Sequence, residues 1–497
     1  MMQVLLSRLG IGAVAAFALV LTLNKNVDDA VSMSFDEGYE LMKATLCAHG
    51  YPLYSQIWSD QPPLYTGILE TVFALVGQSI AAARLTTIAF SFILCASLFE
   101  IVRSHSGAVV GIIALTLLWI SHYFIHLSVS VMNGFPAYAV GLLSVAAICR
   151  YLAGSSRHWL VIAGVVLGLS LQIKLTAALM IPGVIIGLAP CNPWKLKIHC
   201  SRIATWMAGV AVGFAVPQFF NLQTSLDMIW NVHVSWKHHQ LFPNPEEFAS
   251  LSEMLKDDYG TLLAAATGSA TAAAAVSSLR SIRIPIVWLV TAFVAHSVCR
   301  PYFSYYYIHL AVPLCWLAAV GLRNVATTAW RLTDPSYTGA QWRPVVVSLA
   351  AALLWHLAYA GPASKLRNAI RPFDQRATIN DDSVLKSLLP YKSHVNWLFT
   401  DHPIYAFHTG CLVPPATAVL SEKRFRTGHM NASLACAIIN YYKPEVILLF
   451  HYLRRDPEFQ QLAARDYTVH TNDFGADFYV LKSLDHVSAA IVSTANR

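Results

Sequence analysis

The chain has 497 residues, of which 56% are hydrophobic and only 12% charged, about half the charged share of a soluble globular protein. With 34 Lys and Arg against 27 Asp and Glu, the formal net charge is +7. This composition excludes a disordered chain, a nucleic-acid-binding tail protein and an ordinary cytosolic enzyme, and points to one large membrane unit with a smaller part attached.

A spanning helix needs about 20 mostly apolar residues. Candidate spans run over 9–23, 80–102, 107–126, 134–152, 159–172, 175–189, 203–220, 259–279, 284–298, 307–322 and 345–359. The predicted fold class is therefore mainly α: a polytopic membrane protein of about eleven transmembrane helices with a C-terminal extracytoplasmic α/β domain. The two runs flanking Lys174 together exceed one span and read as two short helices meeting at a charged turn. The first segment lacks a small-residue cleavage signature and reads as an anchor. Basic residues from Arg103 to Arg343 fall in alternate connections, so the N-terminus is expected in the cytoplasm and the loop at 24–79 outside.

Residues 1–360 are read as the membrane domain and 361–497 as a soluble α/β domain on the outer side. In the latter, 394–400, 445–450 and 477–481 read as strands, and 431–442 and 457–465 as helices, the first opened by Asn431 and stopped before Pro444. Nine cysteines show no metal spacing; Cys411 and Cys436 share the polar part and are either bonded or free.

The outer loop of about 55 residues is the most informative stretch. Its aromatics, prolines and the apolar run 68–76 argue for helices along the membrane surface. Asp36 and Glu37 are adjacent, so on a helix their side chains diverge by about 100°, one free to face a reacting group while the other makes a structural contact. A solvated acidic loop is the plain alternative, and charge alone favours it. Lys174 sits between apolar runs, where a cation either snorkels to the interface or meets an anionic ligand. The 222–258 loop carries His233, Lys237, His238 and His239 without metalloprotease spacing, and Trp230, Trp236 and Phe242 there suit an aromatic belt.

Ser-Phe-Asp-Glu-Gly-Tyr-Glu at 34–40, Gly-Tyr-Pro-Leu-Tyr at 50–54 and Asp-Gln-Pro-Pro-Leu at 60–64 together resemble the first outer loop of GT-C glycosyltransferases. The branch resembled holds protein O-mannosyltransferases, the aminoarabinose transferase acting on lipid A, and RgtA/B/C/D-like transferases. The resemblance continues through Ala83-Arg84-Leu85, Ile173-Lys174-Leu175, Arg300-Pro301-Tyr302 with Tyr305-Tyr306-Tyr307-Ile308-His309, and Thr400-Asp401-His402-Pro403.

It implies transfer of a sugar from a polyprenyl-phosphate carrier to an acceptor hydroxyl on the outer face, with inversion. Asp36 matches the family's catalytic acid and is expected to act as general base, with Glu37 positioning it. The donor lipid phosphate is expected at Lys174, Arg84, Arg300, Tyr306 and His309, with Asp60 and Tyr54 supporting loop one. Pairing of Arg84 with loop-one carboxylates is the equal alternative. Expected partners are membrane lipids, the polyprenyl-phosphate-linked sugar and a glycan, lipid or protein acceptor, with no nucleic acid. No metal site is read; whether a divalent metal takes part stays open, as do the sugar and the oligomeric state. A bacterial inner membrane is the expected location. A transporter or a polysaccharide polymerase handling lipid-linked glycans is the rival reading. Relatives with Lys-Pro-Pro-Leu place a cation where this chain has Gln61.

Overall fold

The computed structural model describes residues 2–24, 26–121, 123–154, 156–189, 196–218, 251–258, 261–267, 279–298, 302–332, 376–471 and 476–484. The principal membrane-part helices are α1 (Met2–Thr22), α2 (Glu37–Ala48), α3 (Leu64–Val76), α4 (Ile80–Ser106), α5 (Ala108–Trp119) and α6 (Gly134–Leu152). They continue with α7 (His158–Leu171), α8 (Ile181–Leu188), α9 (Leu196–Gln218), α10 (Leu279–Val298) and α11 (Ile308–Leu332).

Among the described residues, three helices are long and apolar enough to cross a membrane: Ile80–Ser106, Gly134–Leu152 and Ser304–Thr327. The described residues thus establish three spans by length and composition and do not establish the expected count of about eleven. Two expected spans, at 259–279 and 345–359, lie largely or wholly outside the described residues. Others are shorter than their apolar runs because the chain breaks within them. The run at 107–126 splits into α5 and a single turn, Phe124–Leu127, and α8 follows a 3-10 segment, Leu175–Met180. This last break is the charged turn expected at Lys174.

The α7 and α9 helices approach through glycines. A Cβ on Gly164 or Gly168 would collide with the carbonyl oxygens of Trp206 or Val210, and one on Gly213 with that of Val165. Small residues at four-residue spacing let two backbones touch where no aqueous hydrophobic effect drives helices together. Gln172, just past α7, donates to the Phe214 carbonyl at 2.6 Å, and its own carbonyl accepts from Leu64 N at 3.1 Å. Loop one is therefore pinned to the turn that carries Lys174.

The C-terminal part holds a four-stranded sheet of order β1-β2-β4-β3, with β1 (Leu398–Thr400), β2 (Val446–Leu449), β3 (Tyr467–Thr471) and β4 (Asp477–Leu481). β1 and β2 are parallel and the other pairings antiparallel. Its helices are α12 (Ile404–Thr409), α13 (Glu422–Arg426), α14 (Ala432–Tyr442) and α15 (Pro457–Asp466). Asn431 caps α14 by accepting from Leu434 N at 2.8 Å, and Asp456 caps α15. The three expected strands and both helices are found; β3 is added because Tyr-Thr-Val-His-Thr follows α15 without a turn signal. Cys411 and Cys436 are free thiols buried in different clusters.

Loop one and the C-terminal part share one hydrophobic cluster, in which Leu41, Leu46, Tyr65 and Phe73 pack with Leu385, Ile404, Phe407, Val446 and Phe478. Backbone bonds stitch them as well, Val31 N to the Ala377 carbonyl at 3.0 Å and Ile379 N to that of Asp29 at 2.7 Å. Gly38 is required at the crossing of α2 and α12, since a Cβ there would lie 2.6 Å from Ile404 N.

Candidate active site

The acidic pair lies at the start of α2, and the helix sends its two carboxylates into different surroundings. Glu37 is fully buried. Arg84 from α4 grips it with two charge-assisted bonds, Nε to Oε1 at 3.0 Å and Nη2 to Oε2 at 2.9 Å. Met33 N and Val131 N add bonds at 2.7 and 3.2 Å. Burial pushes the Glu37 carboxyl up, but Arg84 and these N–H groups outweigh it and hold it below its ordinary range. Arg84 spends its remaining reach on the carbonyls of Val27 and Ala30, at 3.0 and 2.9 Å. This placement corrects the expectation of Arg84 at the donor phosphate: its guanidinium is committed to tying loop one onto α4. The reason is geometric, since Arg84 starts the second turn of α4 directly beneath the first turn of α2.

Asp36 is the residue before α2, and its side chain makes no capping hydrogen bond. Desolvation raises it to about 6, and Glu40 and Asp60 push the same way against Lys174 and Lys43. The result is a carboxyl that gains and loses a proton near neutrality, as a general base requires. Glu40 is itself occupied, accepting from Lys43 Nζ at 3.0 Å and from Asn133 Nδ2 at 3.3 Å.

Lys174 leads into the 3-10 segment with an extended backbone. Its ammonium lies 5.3 Å from the ring centre of Tyr305 and 5.6 Å from that of Tyr306, and it feels the charges of Asp36, Asp60, Glu40 and Lys423. Behind the tyrosines is a stack. Tyr306 lies parallel to His296 and His309, at 5.3 and 5.5 Å between ring centres, and His309 stacks on Tyr138 at 4.0 Å. His296 Nε2 and His309 Nδ1 are 2.7 Å apart, so His309, buried, faces another histidine and backs the tyrosines. Arg300 lies outside the described residues, as do His233, Lys237, His238, His239, Trp230, Trp236 and Phe242.

Tyr54 takes a left-handed backbone (φ 70°) and donates to the Gln61 carbonyl at 2.8 Å, bracing the Asp-Gln-Pro-Pro turn. Asp60 pairs with Lys423 of α13 at 2.6 Å. Next to it, the Arg424 guanidinium lies 5.1 Å from the ring centre of Trp58 and donates to the Ala416 and Val419 carbonyls. Tyr39 of α2 reaches the Leu420 carbonyl at 3.1 Å. Sequence reasoning missed Lys423 and Arg424; the basic run Lys-Arg-Phe-Arg in an otherwise mixed segment was the only signal. It also missed His296. Among the described residues no three His, Cys, Asp or Glu side chains are arranged to hold a metal ion.

Residues 60–219, about a third of the chain, match the profile of the Dolichyl-phosphate-mannose-protein mannosyltransferase family. The fold matches ArnT from Cupriavidus metallidurans, in a crystal structure bound to undecaprenyl phosphate, with a TM-score of 0.62 at 14% identity, over 95% of this chain and 98% of that one. The chain carries the GT-C fold of membrane glycosyltransferases. The Archaeoglobus fulgidus oligosaccharyltransferase shares it at a TM-score of 0.52 and 11% identity, over 88% of this chain and 69% of its own. A structure of the same archaeal enzyme, AglB, with an inhibitory peptide and a dolichol-phosphate matches at 0.50 and 11% identity, over 96% and 74%. No protein of curated function matches the sequence. The GT-C resemblance carried by loop one and the Lys174 turn is therefore met by the fold of the chain.

Proposed function

We propose that this chain transfers a sugar from a polyprenyl-phosphate-linked donor to an acceptor hydroxyl, with inversion at the anomeric carbon and Asp36 as general base. The observation that carries the reading is a proton-accepting carboxyl and an ammonium that act on each other. Asp36 has a carboxyl raised to about 6 and no capping bond, and it shares its field with Lys174 set against two tyrosine rings.

In the step, the acceptor oxygen attacks the anomeric carbon while its proton passes to Asp36. The bond from that carbon to the phosphate oxygen breaks, and its electron pair stays on the departing lipid phosphate. Asp36 loses a negative charge as the phosphate gains one. Lys174 can exchange one anionic neighbour for the other, so the site keeps its net charge through the reaction. That balance is what preorganised electrostatics contributes when charge moves in a low-dielectric site. Tyr305 and Tyr306 hold the ammonium in place, and Glu37 holds Asp36 at the head of α2.

Lipid phosphates bound by ArnT and AglB, which share this fold, support a lipid-phosphate donor here. Glycan, lipid and protein acceptors all fit a general base acting on a hydroxyl. The site is assigned to the extracytoplasmic face, with the N-terminus cytoplasmic, 1–360 as the membrane domain and 361–497 as the outer α/β domain. A bacterial inner membrane suits this layout.

The test is release of polyprenyl phosphate by the reconstituted protein from a panel of polyprenyl-phosphate-linked hexoses and pentoses, with cell-envelope extract as acceptor. Wild type is expected to turn over one donor, and Asp36→Asn to lose at least about 100-fold while folding normally. Full turnover by the Asn variant would overturn the role of Asp36.

A further inference from the structure

Lys423 belongs to α13 of the C-terminal part, yet among the described residues its ion-pair partner lies in loop one. It forms an ion pair at 2.6 Å with Asp60, both side chains about five-sixths buried. The segment around it is fastened to loop one by other groups. Arg424 covers Trp58, and Tyr39 holds the Leu420 carbonyl. The docking of α13 therefore does not need Lys423. The turn that carries Asp60 is tied to the Lys174 turn by Leu64 N and the Gln172 carbonyl at 3.1 Å, and the charge of Lys423 acts on Lys174. An ammonium has three N–H donors, and Asp60 occupies one. Arg424 differs, because carbonyls and a ring already take its guanidinium.

Counting charge makes the point sharper. Asp36 stands with the acids Glu40 and Asp60 and the cations Lys43 and Lys174, and Lys423 acts in turn on Lys174. Glu40 holds Lys43, and Asp60 holds Lys423. Lys174 is set against Asp36. An arriving lipid phosphate adds negative charge to this set, and protonation of Asp36 offsets only the further charge gained when the phosphate departs. Lys423 is the group that can answer it, by sharing its ammonium between Asp60 and the phosphate.

Resting on the reading of a lipid-phosphate donor, we infer that Lys423 is a second phosphate-binding cation supplied by the C-terminal part, with Asp60 as its internal competitor. The arrangement couples this part of the chain to the donor: phosphate draws Lys423 away from Asp60, and release of phosphate restores the pair. It also gives the site a cation near Gln61, at the turn where loop one carries none.

The experiment measures binding of undecaprenyl phosphate to the full-length protein in nanodiscs, with undecaprenol as the uncharged control and excess phosphatidylglycerol as the rival phosphate lipid. Lys423→Gln should weaken binding about tenfold, and Lys423→Arg should return it to within about threefold. Asp60→Asn frees Lys423 and should leave binding equal or tighter. A pair that serves only as a clamp predicts the reverse for Asp60, because both variants then cut the same contact and weaken binding together. Changes of the same sign in Lys423→Gln and Asp60→Asn, or an unchanged Lys423→Gln, overturn the inference and leave the donor assignment standing. Equal binding of undecaprenol and undecaprenyl phosphate to wild type overturns the donor assignment itself. Full displacement by phosphatidylglycerol overturns the link to the donor. Thermal unfolding midpoints within a few degrees of wild type certify each variant, and Lys423→Arg carries the test if Lys423→Gln fails to fold.

Discussion

Two neighbouring carboxylates on the same helix end have opposite fates. Glu37 is saturated: an arginine, two backbone N–H groups and complete burial fix it as an anion. Asp36, one residue earlier, lacks a capping bond, sits among charges of both signs and has its carboxyl raised to about 6. The first region is built to stay as it is and the second to change. A buried carboxylate whose bonds are all made has no capacity to take a proton, whereas one left short of donors does.

That contrast is most sharply broken at Asp36 itself. Asp36→Asn is expected to cut transfer by about 100- to 10,000-fold, read by polyprenyl phosphate release. The same variant should stabilise the fold by roughly 1–3 kcal/mol at neutral pH, the partial exposure of Asp36 keeping the gain small. The sign follows from a folded-state value near 6 set against an ordinary 3.8. The favourable contribution of the protonated form is complete below about pH 4 and is lost as pH rises through 6. The stability difference between variant and wild type should therefore vanish near pH 4, and an equal gain at pH 4 and 7 would contradict it.

Breaking the saturated region should instead cost the fold. Arg84→Met leaves Glu37 buried without its cation and is expected to destabilise by about 3–5 kcal/mol. Arg84→Met combined with Glu37→Leu should recover much of this, as measured by unfolding in detergent. A catalytic role for Arg84 would show instead as lost turnover in a protein of normal stability.

A third effect lies in the pH profile. With Asp36 as base, kcat/KM should fall tenfold per unit below about pH 6 and level off above it. Lys174→Met removes the ammonium that lowers Asp36, so the limb should move to higher pH and donor KM should rise. An unshifted limb would separate Lys174 from Asp36.

The smallest effect is expected at the seam between loop one and the C-terminal part. Tyr39→Phe removes the hydroxyl that holds the Leu420 carbonyl and should cost about 0.5–1.5 kcal/mol. Gly38→Ala, which pushes a methyl at Ile404 N, should cost more than its neighbour. Equal and negligible effects would mean that the seam carries little of the fold.

Much of this was legible in the chain. Apolar runs located the helices, the interruption at Lys174 located a turn, and the order Asp-Glu, Gly-Tyr-Pro-Leu-Tyr, Asp-Gln-Pro-Pro pointed to the GT-C fold that the comparisons support. The divergence of adjacent residues on a helix already separated Asp36 from Glu37. Arg84 was read two ways, as a phosphate ligand or as a partner of loop one, because a charge at the head of a helix does not name its counter-ion. His309 was placed at the phosphate, whereas it packs behind the tyrosines against His296. Both readings turn on which side chains meet across helices far apart in sequence.

Sequence by itself determined the properties that are local: hydrophobic length, helix breaks, caps such as Asn431, and the acidic doublet, since each depends on residues within a few positions of one another. Only the tertiary structure decided how charge is shared. Glu37 and Arg84 are 47 positions apart, and Asp60 and Lys423 are 363 apart. Whether a buried charge is a strut or a reactive group depends on how many donors and counter-ions reach it, and chain folding alone brings those together.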